Sequence, residues 1–136
     1  MKITVLIVDD EPPARESLRR LVQADAELEL VGEAGDGFVA LEEIRRRRPQ
    51  LVLLDVQMPE MSGVEMVAQL PPDARPEIVF VTAFDRFALE AFDLEAVDYL
   101  LKPYPDERFQ EAVGRVKRRL RLDRLGTEHE KIDRVI

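Results

Sequence analysis

A chain of 136 residues with no cysteine has room for one ordinary domain with its own core, and it excludes disulfides and thiolate metal sites. Its formal net charge of −8 excludes a general attraction to nucleic acid or anionic membrane. No apolar run approaches the roughly 20 residues needed to cross a bilayer, and the first strand starts too near Met1 to leave room for a signal peptide, so a soluble, cytoplasmic protein is expected.

Ile3 to Val8, ITVLIV, is β-rich and continuous, which predicts a strand covered on both faces. It ends in Asp9, Asp10 and Glu11. Pro12 and Pro13 open a helix whose Ala14, Leu18, Leu21 and Val22 share one face and which ends near Gln23 to Asp25. Leu28 to Ala34 alternates as a more exposed strand. Asp36 caps the next helix, Leu41 and Ile44 form its inward stripe, and Pro49 forbids its continuation. The run Arg45 to Arg48 has a nucleic-acid reading, but basic residues at a helix C-terminus complement the macrodipole and are ordinarily solvated.

Leu51 to Leu54 is a short apolar run of the buried-strand type, and Asp55 stands at its end. Ser62 and Glu65 form a capping box that starts a third helix, with Val64, Val67 and Leu70 facing inward and Met58, Met61 and Met66 as packing or loop residues. Ile78 to Val81 is the fourth strand, with Thr82 and Ala83 at its end. Asp85 is positioned to cap a fourth helix carrying Phe87, Ala88, Ala91 and Phe92. Val97 to Leu101 is the fifth strand, followed by Lys102 and Pro103. Pro105, Asp106 and Glu107 open the last helix, with an inward stripe of Phe109, Ala112, Val113, Val116 and Leu120. Leu122 and Leu125 extend it by a turn or two at most, and Gly126 to Ile136 reads as a polar linker. The division expected is a domain over 1–122 and, over 123–136, a linker toward a further effector domain.

Strands alternating with helices imply right-handed crossovers, hence an α/β fold with a doubly wound five-stranded parallel sheet, order 2-1-3-4-5, and helices on both faces. In that order Asp9, Asp10, Asp55, Thr82 and Lys102 surround one crevice at the carboxyl ends of the strands. Three carboxylates beside a single lysine call for a cation. Hard oxygen ligands suit Mg²⁺, held by Asp10 and Asp55, with Asp9 acting directly or through water and the Gln57 backbone carbonyl as a further ligand. Asp55 is then the acceptor of a phosphoryl group, with Lys102 and Thr82 partnering its remaining oxygens.

The motifs VDDEPP, LLDVQMPEMSG, VTAFD and DYLLKPY, on successive strand ends, resemble the receiver domain of two-component response regulators, a flavodoxin-like fold. The resemblance covers Lys2 to about Leu120. The wording TAFDRFALEAFDLEAVDYLLKPY is most similar to the LytTR (LytR/AlgR) class, whose receivers usually precede a DNA-binding domain. The resemblance implies that a sensor histidine kinase phosphorylates Asp55, that Asp9 and Asp10 serve the Mg²⁺ site, that Thr82 and Lys102 bind the phosphoryl group, and that the Lys102–Pro103 peptide is cis. It makes Thr82 and Tyr99 the switch pair and the chain a signalling phosphoacceptor, not an enzyme. Gln57 and Phe84 are placed beside the path of the attacking water.

Apolar Phe92 and Leu94 beside acidic Asp93, Glu95 and Asp98, with basic Lys117, Arg118 and Arg119 further on, suggest a phosphorylation-dependent homodimer through the fourth helix, fifth strand and fifth helix. DNA is a partner only through the effector, and no membrane contact is expected. The alternative is a stand-alone receiver acting as a phosphorelay adaptor or phosphate sink. A haloacid dehalogenase-type hydrolase needs a second Asp where Gln57 stands. A nucleotide binder needs a small, polar loop where the chain has DDEPP. Asp9 and Asp10 have a capping role as their plain alternative, and His129 is assigned none.

Overall fold

The computed structural model describes residues 2–135, with side chains through Arg121. In chain order the elements are β1 (Ile3–Val8), α1 (Pro12–Gln23), β2 (Leu28–Ala34), α2 (Gly37–Arg47), β3 (Leu51–Leu54), α3 (Gly63–Ala68), a short 3-10 turn (Pro72–Ala74), β4 (Glu77–Thr82), α4 (Ala88–Asp93), β5 (Asp98–Leu101) and α5 (Asp106–Val135). The sheet is parallel throughout, in the order β2-β1-β3-β4-β5. The doubly wound, flavodoxin-like architecture expected from the sequence is therefore the one observed.

Period-two alternation explains why the central strands are apolar without interruption. Leu6, Val8, Val52, Leu54, Ile78 and Phe80 point into one layer with Ala40, Leu41, Ile44, Met66 and Val67 from α2 and α3. Val5, Ile7, Leu51, Leu53, Val79 and Val81 point into the other, against Leu18 and Val22 of α1 and Phe109, Ala112, Val113 and Val116 of α5. Met58 and Met61 are also buried in the first layer. The helix starts follow local chemistry. Pro12 opens α1, Asp36 accepts the Val39 N–H at 2.8 Å, and Ser62 accepts the Glu65 N–H at 3.0 Å. Arg48 ends α2 in the left-handed conformation, directly before Pro49.

Three local expectations are corrected. Asp85 does not cap α4: the N-cap position is Phe87, with no side-chain hydrogen bond, and the helix begins at Ala88. With that later start Ala91 turns inward, while Leu89 and Phe92, three apart on one face, are 81% and 78% exposed. Phe92 is thus a surface residue. The backbone of α5 runs on to Val135 through a stretch without proline and rich in helix formers. The linker expected over 123–136 is therefore helical to Val135, and its side chains lie outside the described residues.

The third correction concerns the charges expected to cross an interface. Asp98 is clamped within its own chain, accepting from Arg108 at 2.7 and 2.8 Å and from Arg115 at 2.6 Å. Arg108 and Arg115 are two turns apart on α5 and so share a face. Lys117 pairs with Asp25 at 2.8 Å and Glu27 at 3.2 Å, and Arg119 with Glu77 at 2.8 Å. Burial would raise the Asp98 pKa, but the two guanidiniums and the Tyr99 N–H outweigh it and hold it below its ordinary value. A lowered carboxyl pKa contributes stability that is present above the unfolded value and lost as pH falls through the folded one. Asp98→Asn is expected to cost about 1.5 kcal/mol at neutral pH, less than a fully buried pair because both guanidiniums keep solvent contact. Urea denaturation should show the gap between parent and variant closing below about pH 4; an unchanged gap at pH 3 refutes the assignment.

Candidate functional site

The crevice forms where the sheet's winding reverses. Helices leave β1 and β3 toward opposite layers, so their carboxyl ends open on a common gap. Asp9 follows β1, fully buried. Its Oδ1 accepts the Glu11 N–H at 2.9 Å, its Oδ2 accepts from Lys102 Nζ at 2.8 Å, and its carbonyl accepts from Arg15 at 2.8 Å. Asp10 follows, half-buried. Asp55 leaves β3 with its N–H on the Val8 carbonyl at 3.0 Å, and this bond sets the two strand ends side by side. One carboxylate oxygen from each of Asp9, Asp10 and Asp55 lies within 4.8 Å of the others.

Lys102 and Thr82 arrive together from the other side, since the Lys102 N–H bonds the Thr82 carbonyl at 2.8 Å. Lys102 Nζ stands 3.5 Å from Asp55 Oδ2. The Thr82 side chain is fully buried and favours the charged form of the Asp55 carboxylate. Its Oγ1 also accepts the Phe84 N–H at 3.4 Å. The Tyr99 hydroxyl donates to the Phe84 carbonyl, with its ring centroid 6.1 Å from that of Phe80. Gln57 sits in the loop after β3. Its N–H is held by Asp55 Oδ1 at 3.2 Å and its side chain is exposed. Asp9, Asp10, Asp55, Thr82 and Lys102 thus surround one crevice, with Tyr99 tied to it through the Phe84 peptide and Gln57 in the adjoining loop.

Electrostatics make this crevice a place for positive charge. Burial pushes the Asp55 pKa up; Lys102 and the Thr82 hydrogen bond oppose this, Asp9 adds to it, and the net shift is upward. For Lys102 burial acts to lower the pKa, but the hydrogen bond and charge of Asp9, then the charge of Asp55, more than offset it, and the net shift is also upward. The Asp55 shift reports chiefly the cost of burying its carboxylate, and the Lys102 shift reports the negative charge of Asp9 and Asp55 beside it. The three converging carboxylates are hard oxygen donors, and they fit a small divalent cation such as Mg²⁺.

Two residues that shape the site escaped sequence reasoning. Gly63, the first residue of α3, donates its N–H to the Val56 carbonyl at 2.7 Å. A Cβ there would lie 2.3 Å from the Asp55 carbonyl oxygen. Its only signal was a poor helix former directly after the Ser62 cap. Arg86 packs over the rings of Phe84 and Phe87, at 5.3 and 4.9 Å from their centroids, with no signal in the sequence pattern.

Fold and crevice define a flavodoxin-like domain with an acidic pocket at its topological switch point. Residues 5–114 match the response regulator receiver domain family. A response regulatory protein of Shewanella oneidensis is 50% identical over 118 residues, which cover 87% of this chain and 50% of that protein. The transcriptional regulatory protein BtsR of Salmonella typhimurium is 49% identical over 115 residues, 85% of this chain and 48% of BtsR. Among solved structures, the receiver domain of AraT from Geobacillus stearothermophilus superposes with a TM-score of 0.82 at 35% identity, covering 91% of this chain and 99% of that one. The response regulatory domain of mrkE from Klebsiella pneumoniae gives 0.77 at 34%, covering 85% and 95%. The chain belongs to the response regulator receiver family and so to two-component signalling. It spans about half the length of the curated relatives it matches. Among the described residues no helix is long and apolar enough to cross a membrane.

Proposed function

We propose that Asp55 is the phosphoacceptor of a cytoplasmic response regulator of the LytTR class, charged by a sensor histidine kinase with Mg²⁺ and read out by a DNA-binding effector. The observation that carries this reading is the convergence of Asp9, Asp10 and Asp55 on one point with Lys102 and Thr82 facing it. Half-identity to a transcriptional regulatory protein supports the output, and the wording of residues 82–104 supports the class.

In the transfer, an Asp55 carboxylate oxygen forms a bond to phosphorus as the bond from phosphorus to the donor's imidazole nitrogen breaks. Mg²⁺ held by Asp9, Asp10, Asp55 and the Gln57 carbonyl, when bound, supplies the charge that lets two anions meet. Lys102 shifts from its two carboxylate partners onto a phosphoryl oxygen, and the Thr82 hydroxyl donates to another. The domain promotes only its own phosphorylation and dephosphorylation and is a phosphoacceptor rather than an enzyme acting on other substrates.

The peptide of Phe84 links the two switch residues, since its N–H is held by Thr82 and its carbonyl by Tyr99. A phosphoryl group that draws Thr82 inward therefore biases Tyr99 within a pre-existing equilibrium. The output surface is the α4–β5–α5 face, where Leu89, Phe92 and Leu101 are exposed, and its product is a homodimer. Sedimentation should show a rise in mass with beryllofluoride that Phe92→Ser weakens. An unaltered monomer with the phosphoryl mimic bound refutes the dimer.

The primary test is intact mass after incubation with Mg²⁺ and acetyl phosphate. One phosphoryl adduct, stable in acid and labile in base, is expected on the parent, with none on Asp55→Ala and none when EDTA replaces Mg²⁺. An adduct that persists in Asp55→Ala refutes the assignment.

A further inference from the structure

We infer that Arg15 is a positioning residue for the cation: by gripping the Asp9 carbonyl it fixes the peptide that aims the Asp10 carboxylate, and so sets how tightly a divalent ion binds in the crevice. This rests on the reading of the three carboxylates as a cation site. The Asp9 backbone is held from two sides. Its N–H donates to the carbonyl of Ala34, the last residue of β2, at 3.1 Å, and its carbonyl accepts from Arg15 Nη1 at 2.8 Å. That carbonyl belongs to the peptide joining Asp9 to Asp10, and because the peptide is planar, holding its oxygen also orients the Asp10 N–H and Cα.

The three carboxylates differ in what else restrains them. Asp9 Oδ1 accepts the Glu11 N–H and its Oδ2 accepts from Lys102. Asp55 Oδ1 accepts the Gln57 N–H, and its Oδ2 lies 3.5 Å from Lys102 Nζ. Among the described residues the Asp10 carboxylate has no hydrogen bond or ion pair. Its place beside the other two therefore depends on the backbone that carries it.

Arg15 is more than half of a helix–strand ion pair. Arg19, one turn further along α1, already takes both oxygens of Glu33 on β2, at 2.7 and 2.9 Å, while Arg15 Nε stands 3.6 Å from Glu33 Oε1. The shorter, charge-assisted bond of Arg15 goes to the carbonyl. Its side chain is 23% exposed, so water competes for that bond only in part.

Charge and position call for opposite signs. A guanidinium near three carboxylates repels an incoming cation, so if its charge alone mattered, removing it would tighten Mg²⁺ binding. If it aims Asp10, removing it frees the peptide and weakens binding.

The test is calorimetric titration of Mg²⁺ into the unphosphorylated 136-residue chain at fixed pH and ionic strength. Arg15→Met, which keeps the aliphatic stem and loses the guanidinium, should raise the Mg²⁺ Kd about tenfold, the size expected when a group behind a metal ligand is lost. Arg15→Lys, whose ammonium reaches the same carbonyl, should recover most of that loss. Arg19→Ala, which removes a cation from the same helix face without touching the Asp9 carbonyl, should leave the affinity at or above that of the parent. Urea denaturation in EDTA shows whether each variant is folded at the titration temperature; should Arg15→Met not be, Arg15→Gln carries the same expectation. Unchanged or tighter binding in Arg15→Met, Arg15→Lys as weak as Arg15→Met, or an equal loss in Arg19→Ala overturns the inference. A parent that binds no Mg²⁺ overturns the cation reading of the crevice instead, so the two failures are distinct.

Discussion

Gly63→Ala is expected to destabilise the domain by about 3 kcal/mol, the upper range for forcing an atom into a filled space. The added Cβ would sit 2.3 Å from the Asp55 carbonyl oxygen, 3.1 Å from its carbonyl carbon and 3.1 Å from Leu54 Cγ. Leu54 is fully buried, and the Asp55 backbone is pinned by its N–H to Val8. Nothing on that side can yield cheaply. The strain falls on α3 or on the end of β3, and in the second case the Asp55 carboxylate moves as well. Urea denaturation reads the first effect, and acetyl phosphate uptake at a temperature where the variant is folded reads the second. A variant within about 0.5 kcal/mol of the parent, inside the range of an ordinary surface change, means that the approach of α3 to β3 is looser than described.

Lys102→Met is expected to cost about 2 kcal/mol when Mg²⁺ is chelated, because it leaves Asp9 and Asp55 facing each other and Asp10 with no compensating charge. Breaking a buried pair by removing one partner is costlier than the pair is worth, but the Lys102 side chain is 26% exposed, and solvent reaching it reduces the penalty. Saturating Mg²⁺ should return most of the loss by binding only the folded state and replacing the missing charge. Phosphoryl uptake should remain strongly impaired even then, since Mg²⁺ partners other oxygens than the ammonium does. Urea curves in EDTA and in Mg²⁺ separate these terms. A loss of the same size in both media would show that Lys102 holds the fold by its aliphatic stem, not its charge.

What was legible in the sequence follows from what fixes each residue. Asp9, Asp55 and Thr82 close short apolar runs that are buried on both faces, and Lys102 directly follows the edge strand β5, so the strand ends, and with them the crevice, follow from local pattern once parallel winding is assumed. The start of α4 was misplaced because Asp85 reads as a cap in the sequence whereas the helix begins at Ala88 with Phe87 at its N-cap, and boundaries are the part of a helix that local pattern fixes least. Asp98 was taken for an interface charge because its partners, Arg108 and Arg115, lie on a helix whose rotation the strand sequence does not specify. Gly63 and Arg86 depend on atoms brought close only by packing, a carbonyl oxygen in one case and two rings in the other. The extension of α5 reflects backbone preference persisting where the apolar stripe stops.

β5 has four residues and a single neighbouring strand, β4. Elements with few long-range pairings open at less free energy than the whole molecule, and an edge of this length is among the first to detach. Tyr99 and the residue leading to Lys102 ride on it. Tyr99 is therefore placed where a brief, local loosening can re-sort it while the interior strands stay shut. A phosphoryl group on Asp55, as proposed above, need only tilt an excursion that heat already drives.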